Sequence, residues 1–109
     1  MKPQLPDGLV AIVKRECATC VMVDPLFAHI AASGASLTVY TQDDPTFPTS
    51  VAALHDADLS MSWHYDIETV PTLLRIENGV EVDRTFGWSK DAWQQFTGIA
   101  DLGADLPVM

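Results

Sequence analysis

The sequence predicts an α/β fold with elements in the order β-α-β-α-β-β-α, in which helices flank a central mixed four-stranded sheet. Three features support this prediction: an apolar run of strand length followed by helical spacing, a β-rich segment after that helix, and two late strand-like runs joined by Asn-Gly. The chain has 109 residues, of which 48% are hydrophobic. These values fit a single domain, 1–109, with a core over about residues 9–99.

The first half of the chain predicts a parallel βαβ unit. Residues 9–13 form an apolar run typical of a strand buried on both faces. Residues 17–32 space their apolar side chains by three and four, which predicts a helix, and Pro25 inside it predicts a kink because proline removes a backbone hydrogen bond. Residues 36–40 alternate as a second strand, which a right-handed crossover would place parallel to the first.

The second half predicts weaker helices and then an antiparallel hairpin. Helical signal covers residues 49–55 and again 59–65. Residues 72–76 and 80–86 are strand-like, and they are joined by a turn containing Asn78-Gly79, which is a strong hairpin signal. The sheet should therefore combine parallel and antiparallel neighbours.

The last helix should begin after Ser89, whose hydroxyl suits an N-cap. Trp93 lies at helical spacing and is expected in the core, and the helix should end near Gly98 or Gly103. The sequence after it shows no periodicity. Residues 100–109 are therefore expected to form a flexible tail.

The charge balance excludes one class of partner. Six basic and fifteen acidic residues give a net charge of -9 and an isoelectric point near 4.3, which is the opposite of a nucleic-acid-binding footprint. The acidic residues are scattered, which predicts a solvated surface. The N-terminal residues resemble no secretory signal, and no apolar run approaches the ~20 residues that span a bilayer. We therefore expect a cytoplasmic monomer with no membrane partner.

The chemistry is concentrated in the C-A-T-C motif at Cys17 and Cys20, where the first strand meets the first helix. Unpaired N–H groups at a helix N-terminus stabilise a thiolate, so Cys17 should be the nucleophile and Cys20 the resolving thiol. A zinc site needs about four ligands, and the other candidates, His29, His55 and His64, have no paired spacing. No metal is therefore expected, although a metal-binding domain stays an alternative.

Together these features resemble the thioredoxin superfamily over residues 9–98. The matching positions are Pro25, five residues after the second cysteine, the segment Y-D-I-E-T-V-P-T-L-L at 65–74, the Asn78-Gly79 turn, and Gly87. The resemblance implies thiol–disulfide exchange on protein or small-molecule disulfides. It implies no bound cofactor, and electrons that come from a reductase or another thiol system.

The resemblance also implies a substrate groove. Pro71 would be a cis-proline that faces the cysteine pair, and the backbone of Val70 would pair with an extended substrate segment. Gly87 and Trp88 would complete the groove. The ring of Trp88 could be an exposed anchor or a packed core side chain, and both alternatives stay open.

Two positions beside the motif depart from the family pattern. Ala11 stands where the family has a buried aspartate that assists proton transfer, and Glu16 stands where it has a tryptophan, so that its charge would oppose the helix dipole. Asp24, one turn after Cys20, is either a substitute proton acceptor or an exposed carboxylate. The family's first strand and helix are also missing. An alternative function is therefore a redox-sensing or adaptor module with little turnover.

Overall fold

The computed structural model describes residues 4–107 and contains five strands and three helices in that range. The strands are β1 (Gly8–Val13), β2 (Leu37–Thr41), β3 (Leu54–His55), β4 (Thr72–Glu77) and β5 (Val80–Phe86), and the helices are α1 (Ala18–Ala32), α2 (Ser60–His64) and α3 (Lys90–Thr97). The sheet order is β3-β2-β1-β4-β5. The predicted α/β class is confirmed, with five strands rather than four.

The centre of the sheet is β1, which pairs in parallel with β2 and antiparallel with β4. Its residues from Leu9 to Val13 are all buried, as expected for a strand with neighbours on both edges and helices on its faces. The helix α1 runs without interruption through Pro25 and packs its buried side, which includes Phe27 and Ile30, into the same core. Between residues 4 and 107, no helix is long and apolar enough to cross a membrane.

The helix predicted at residues 49–55 is wrong. The side chain of Asp24 on α1 accepts hydrogen bonds from the backbone N–H groups of Thr49 and Ser50, at 2.9 and 3.0 Å. The end of the segment joins the sheet instead, because β3 pairs in parallel with β2. This short edge strand, β3, is the additional strand that the sequence did not predict. The second weak helix forms as α2 but is shorter than the predicted 59–65.

The hairpin of β4 and β5 turns at Asn78 and Gly79, whose φ angles are 54° and 77°. Such left-handed angles suit asparagine and glycine, so the Asn-Gly prediction is confirmed. The predicted cap of the last helix also forms, since the hydroxyl of Ser89 accepts a hydrogen bond from the Ala92 N–H at 3.4 Å. Gly98 ends α3 with a φ of 74°.

The expected flexible tail is wrong for residues 100–107. Leu102 is completely buried, and its carbonyl accepts a hydrogen bond from the side chain of Gln94 at 3.0 Å. The indole N–H of Trp88 donates to the carbonyl of Pro107 at 2.9 Å. This segment therefore packs against α3 and the loop before it, while residues 108 and 109 lie outside the described range.

Several aspartates contribute to the fold and not only to a solvated surface. Four of them each accept hydrogen bonds from two consecutive backbone N–H groups: Asp7 from residues 78 and 79, Asp24 from 49 and 50, Asp43 from 15 and 16, and Asp56 from 61 and 62. Asp24 and Asp56 are only 7% and 3% exposed. Since a carboxylate is a strong acceptor, these contacts tie loops to the sheet and helices.

Candidate active site

Cys17 lies at the point where the chain leaves β1 and enters α1. It is the N-cap of the helix, with an extended backbone (φ −154°, ψ 111°), and its Sγ accepts a hydrogen bond from the Cys20 N–H at 3.2 Å. Cys17 is half-buried, and both cysteines are free thiols. The Cys17 sulfur therefore lies at the N-terminus of α1, where unpaired N–H groups favour negative charge.

Cys20 lies beneath Cys17 and has no exposed surface. Burial, followed by the hydrogen bond with the Cys17 side chain, raises the pKa of Cys20 from 9.0 to about 12. Its thiol is therefore protonated at neutral pH and out of reach of solvent. The two sulfurs thus have different environments: that of Cys17 is partly accessible, and that of Cys20 is buried.

The segment with the predicted proline reaches Cys17 through the residue before the proline. The Val70–Pro71 peptide bond is cis, and the thiol of Cys17 donates to the Val70 carbonyl, with 3.6 Å between sulfur and oxygen. The carbonyl of Pro71 accepts a hydrogen bond from the Gly87 N–H at 2.8 Å. The structure therefore brings Cys17, Val70, Pro71 and Gly87 together in one surface region.

Trp88 does not contribute an exposed ring to that region. It is 7% exposed, and its ring packs edge-on against Trp93 at a centroid distance of 5.3 Å. Of the two alternatives, the packed ring is the one that the structure shows. Trp93 is a core residue as predicted, whereas Trp63 on α2 is 75% exposed.

Asp24 is not the exposed carboxylate of the second alternative. One of its oxygens accepts from the Thr49 N–H and hydroxyl, both at 2.9 Å, and the other accepts from the Ser50 N–H at 3.0 Å. Burial acts to raise the pKa of Asp24, but the hydrogen bonds from Thr49 and Ser50 outweigh it and lower the pKa below its ordinary value of 3.8. The group is an ionised structural acceptor and a weak base.

The two departures from the family pattern, Ala11 and Glu16, have different surroundings. Ala11 is fully buried in the core cluster that also contains Cys20, so this position supplies no carboxylate to the resolving thiol. Glu16 is exposed immediately before Cys17, and its backbone N–H donates to a carboxylate oxygen of Asp43 at 3.0 Å. The structure therefore places Glu16 directly before Cys17 with its backbone held and its side chain exposed.

Lys14 and Asp43 also lie at the site, although no motif marks them. Burial dominates the raised pKa of Cys20, and the backbone and charge of Lys14 oppose it. Lys14 directly follows β1, and Asp43 lies two residues beyond β2. Since the carboxyl ends of parallel neighbouring strands meet at one edge of a sheet, the predicted βαβ unit was the available signal for both residues.

The histidines considered as metal ligands have other contacts. His29 lies 3.7 Å from a carboxylate oxygen of Asp101, and His55 lies 2.8 Å from the backbone carbonyl of Asp43. Within residues 4–107, no group of three or more His, Cys, Asp or Glu side chains is placed to hold a metal ion.

The protein has the thioredoxin fold: a central mixed sheet, with a cysteine pair at the start of the first helix and a proline loop beside it. Solved structures of thioredoxin-like proteins have the same architecture. No protein-family model and no curated protein matches the sequence. DsbF of MTB matches with a TM-score of 0.68 and 18% identity over 86% of this chain and 81% of its own. Plasmodium falciparum thioredoxin matches with a TM-score of 0.61 and 18% identity, over 84% of this chain and 82% of its own. A secreted Mycobacterium tuberculosis disulfide oxidoreductase matches with a TM-score of 0.61 and 16% identity, over 83% of this chain and 78% of its own.

Proposed function

We propose that this protein is a thiol–disulfide oxidoreductase that exchanges disulfides through Cys17 and Cys20. The proposal depends mainly on one observation: the half-buried Cys17 sulfur caps α1 and lies 3.6 Å from the Val70 carbonyl, while Cys20 beneath it is completely buried. A substrate can therefore reach only the first sulfur. The fold neighbours named above, two of which are a thioredoxin and a disulfide oxidoreductase, support the same class of activity.

The chemistry follows in two exchange steps. The Cys17 thiolate attacks one sulfur of a substrate disulfide; that S–S bond breaks, and one substrate thiolate leaves and takes a proton from solvent. The Cys20 thiol then attacks the Cys17 sulfur of the mixed disulfide, and its proton passes to the departing second substrate sulfur. The substrate is reduced by two electrons, and the pair is oxidised to a Cys17–Cys20 disulfide. A dithiol or thiol reductant returns the pair to its starting state.

The groove around Cys17 supplies a place for the substrate. An extended segment that lies along Val70 and Pro71 brings its sulfur next to the Cys17 sulfur, because the Val70 carbonyl is already in contact with it. Gly87 lies beside the same loop, because its backbone N–H donates a hydrogen bond to the Pro71 carbonyl. It has no side chain that would obstruct the segment. Trp88 contributes from the core side, where its packed ring supports the Gly87 loop.

A redox sensor with little turnover is the second candidate. It is favoured by the pKa of about 12 that burial produces at Cys20, because a thiol that keeps its proton is a slow nucleophile. Ala11 adds to this, since it places a methyl group where a carboxylate would accept that proton. The two candidates differ in the rate of the second exchange step.

The proposed compartment is the cytoplasm, and the proposed partners are a disulfide-containing protein and a reductase or thiol system. The thiol reductants of that compartment would keep such a cysteine pair reduced. Cell fractionation tests the location: recovery in a secreted fraction would contradict it. Gel filtration at several concentrations tests the expected monomer.

Insulin reduction with dithiothreitol as the electron donor tests the activity. We expect catalysis by the wild type, none by Cys17→Ser, and an accumulated mixed disulfide with Cys20→Ser, which lacks the resolving thiol. A sensor would form the mixed disulfide in the wild type and fail to resolve it within minutes. A folded wild type that neither reduces insulin nor exchanges with glutathione disulfide would overturn both candidates.

A further inference from the structure

We propose that Asp43 is a positioning residue for the attacking thiol, an inference that rests on the proposed function of the cysteine pair. Its two carboxylate oxygens accept hydrogen bonds from the backbone N–H groups of Arg15, at 2.8 Å, and Glu16, at 3.0 Å. These are the last two residues before Cys17. The carboxylate therefore fixes the backbone on the N-terminal side of Cys17, whereas α1 fixes the backbone on its C-terminal side.

Asp43 is itself well held. Its side chain accepts from the Asp44 N–H at 2.7 Å and lies 3.4 Å from the hydroxyl of Thr41, a fully buried residue at the end of β2. Its backbone carbonyl lies 2.8 Å from a ring nitrogen of His55 in β3. The position of the carboxylate is therefore set by two strands of the sheet.

A second contact strengthens the same attachment. The guanidinium of Arg15 lies 2.9 Å from the carboxylate of Asp44. Asp44 in turn accepts hydrogen bonds from the N–H and hydroxyl of Thr46, at 2.8 and 2.7 Å. The loop after β2 thus binds the segment after β1 through its backbone and through a side chain.

This attachment matters because Cys17 acts through its backbone position. The sulfur accepts the Cys20 N–H only while the Cys17 backbone is extended at the start of α1. With Arg15 and Glu16 fixed by Asp43 and the following turn fixed by the helix, the sulfur is confined to the positive end of the helix. Asp43 holds this geometry even though its own negative charge, bound to the backbone N–H of the residue directly before Cys17, opposes a negative charge on the sulfur.

The two influences of Asp43 have opposite signs, which makes the inference testable. Removal of the charge alone would favour the Cys17 thiolate and speed its reactions. Loss of the positioning contacts would release the sulfur from the helix N-terminus and slow them. In Asp43→Asn the charge is removed, and one acceptor oxygen is replaced by an amide group that cannot accept the backbone N–H.

Iodoacetamide alkylation of Cys17 at pH 7, followed by mass spectrometry, gives the sign directly. We expect Asp43→Asn to slow alkylation about threefold, the size expected from a helix-terminus interaction. The equilibrium constant with glutathione should shift by a similar factor towards the disulfide, about 14 mV more reducing for a two-electron couple. An equal or faster alkylation rate would overturn the inference.

Asp7→Asn is the matched control. Asp7 also accepts two consecutive backbone N–H groups, from Asn78 at 3.1 Å and Gly79 at 2.9 Å. That turn lies beside the first residue of β1, since Gly8 pairs with Ile76, and so at the opposite end of the strand from Cys17. The control should lose stability without a change in the alkylation rate, and a threefold slower rate in it would show that the effect is only structural.

A measurement on the wild type keeps the inference testable if Asp43→Asn does not fold. The amide hydrogens of Arg15 and Glu16 should exchange with solvent much more slowly than those of an exposed loop, because each is bonded to the carboxylate. Exchange at the rate of an unstructured peptide would overturn the inference. Alkylation and exchange need no disulfide substrate, so inactivity towards insulin would count against the proposed function alone.

Discussion

The reduced protein should lose stability as the pH rises above 9, because its Cys20 thiol is buried. Burial, followed by the hydrogen bond with Cys17, raises the pKa of Cys20 from 9.0 to about 12. Between these two values the unfolded chain has released the thiol proton, whereas the folded protein still holds it. The unfolded state then binds fewer protons, so the free energy of unfolding falls with pH. The contribution is complete below pH 9 and is lost as the pH approaches 12.

The size of the effect follows from the same two values. A difference of about three pH units corresponds to about 4 kcal/mol for the complete transition. Only part of this is reached at an experimentally convenient pH. Between pH 8 and pH 10 the linkage relation gives a loss of about 1 kcal/mol, which is a substantial part of the roughly 5 to 15 kcal/mol by which an ordinary domain is stable.

Urea unfolding of the reduced protein at pH 8 and pH 10 measures this loss. Cys20→Ala is the control, because it lacks the thiol but keeps the other groups that titrate in this range, including Tyr40, whose pKa is also raised by burial. The wild type should lose about 1 kcal/mol more than the control over this interval. Equal losses in the two proteins would refute the reasoning and show that Cys20 ionises as it does in the unfolded chain.

Two further predictions concern the contacts that hold the loops. Asp24→Ala should cost about 2 to 4 kcal/mol at pH 7, because it removes the acceptor of the N–H groups of Thr49 and Ser50. Burial acts to raise the pKa of Asp24, but those bonds lower it below 3.8, so this contribution is present above pH 3.8 and is lost as the pH falls; the difference between the urea midpoints of the two proteins should therefore narrow as the pH falls below 3.8. Gly103→Ala should cost about 2 to 4 kcal/mol, because its φ is 66° and the new Cβ would lie 2.6 Å from the ring of Trp88. Gly98→Ala has a similar φ of 74° but open space around it, so thermal melts should show only the backbone cost of about 1 kcal/mol, and equal losses at the two glycines would contradict the packing argument.

The local patterns predicted the elements whose formation depends on neighbouring residues. The apolar run became β1, the Asn78-Gly79 pair became a turn with the left-handed angles that these residues favour, and Ser89 became a helix cap. Each signal reports an interaction within a few residues, such as a side chain that caps its own helix or a turn that closes on itself.

Longer-range contacts decided the elements that the sequence predicted wrongly. Residues 49–55 have weak helical spacing, but Asp24, some 25 residues earlier, binds their first N–H groups, and β2 takes their end into the sheet. Residues 100–107 have no periodicity, yet the core provides a place for Leu102. Neither outcome leaves a local pattern, because the partner is distant in the chain and its position depends on the whole fold.

The sequence by itself determined that the cysteine pair stands at a strand–helix junction, because a buried strand, a C-x-x-C motif and helical spacing follow one another directly. Only the tertiary structure decided what surrounds the pair. The Val70 carbonyl comes within 3.6 Å of the Cys17 sulfur from a segment more than 50 residues later, and Asp43 reaches the preceding backbone from the end of β2. The physical reason is that hydrogen bonds and burial depend on which residues are close in space. Residues far apart in the sequence become close only when the strands pair in the correct register.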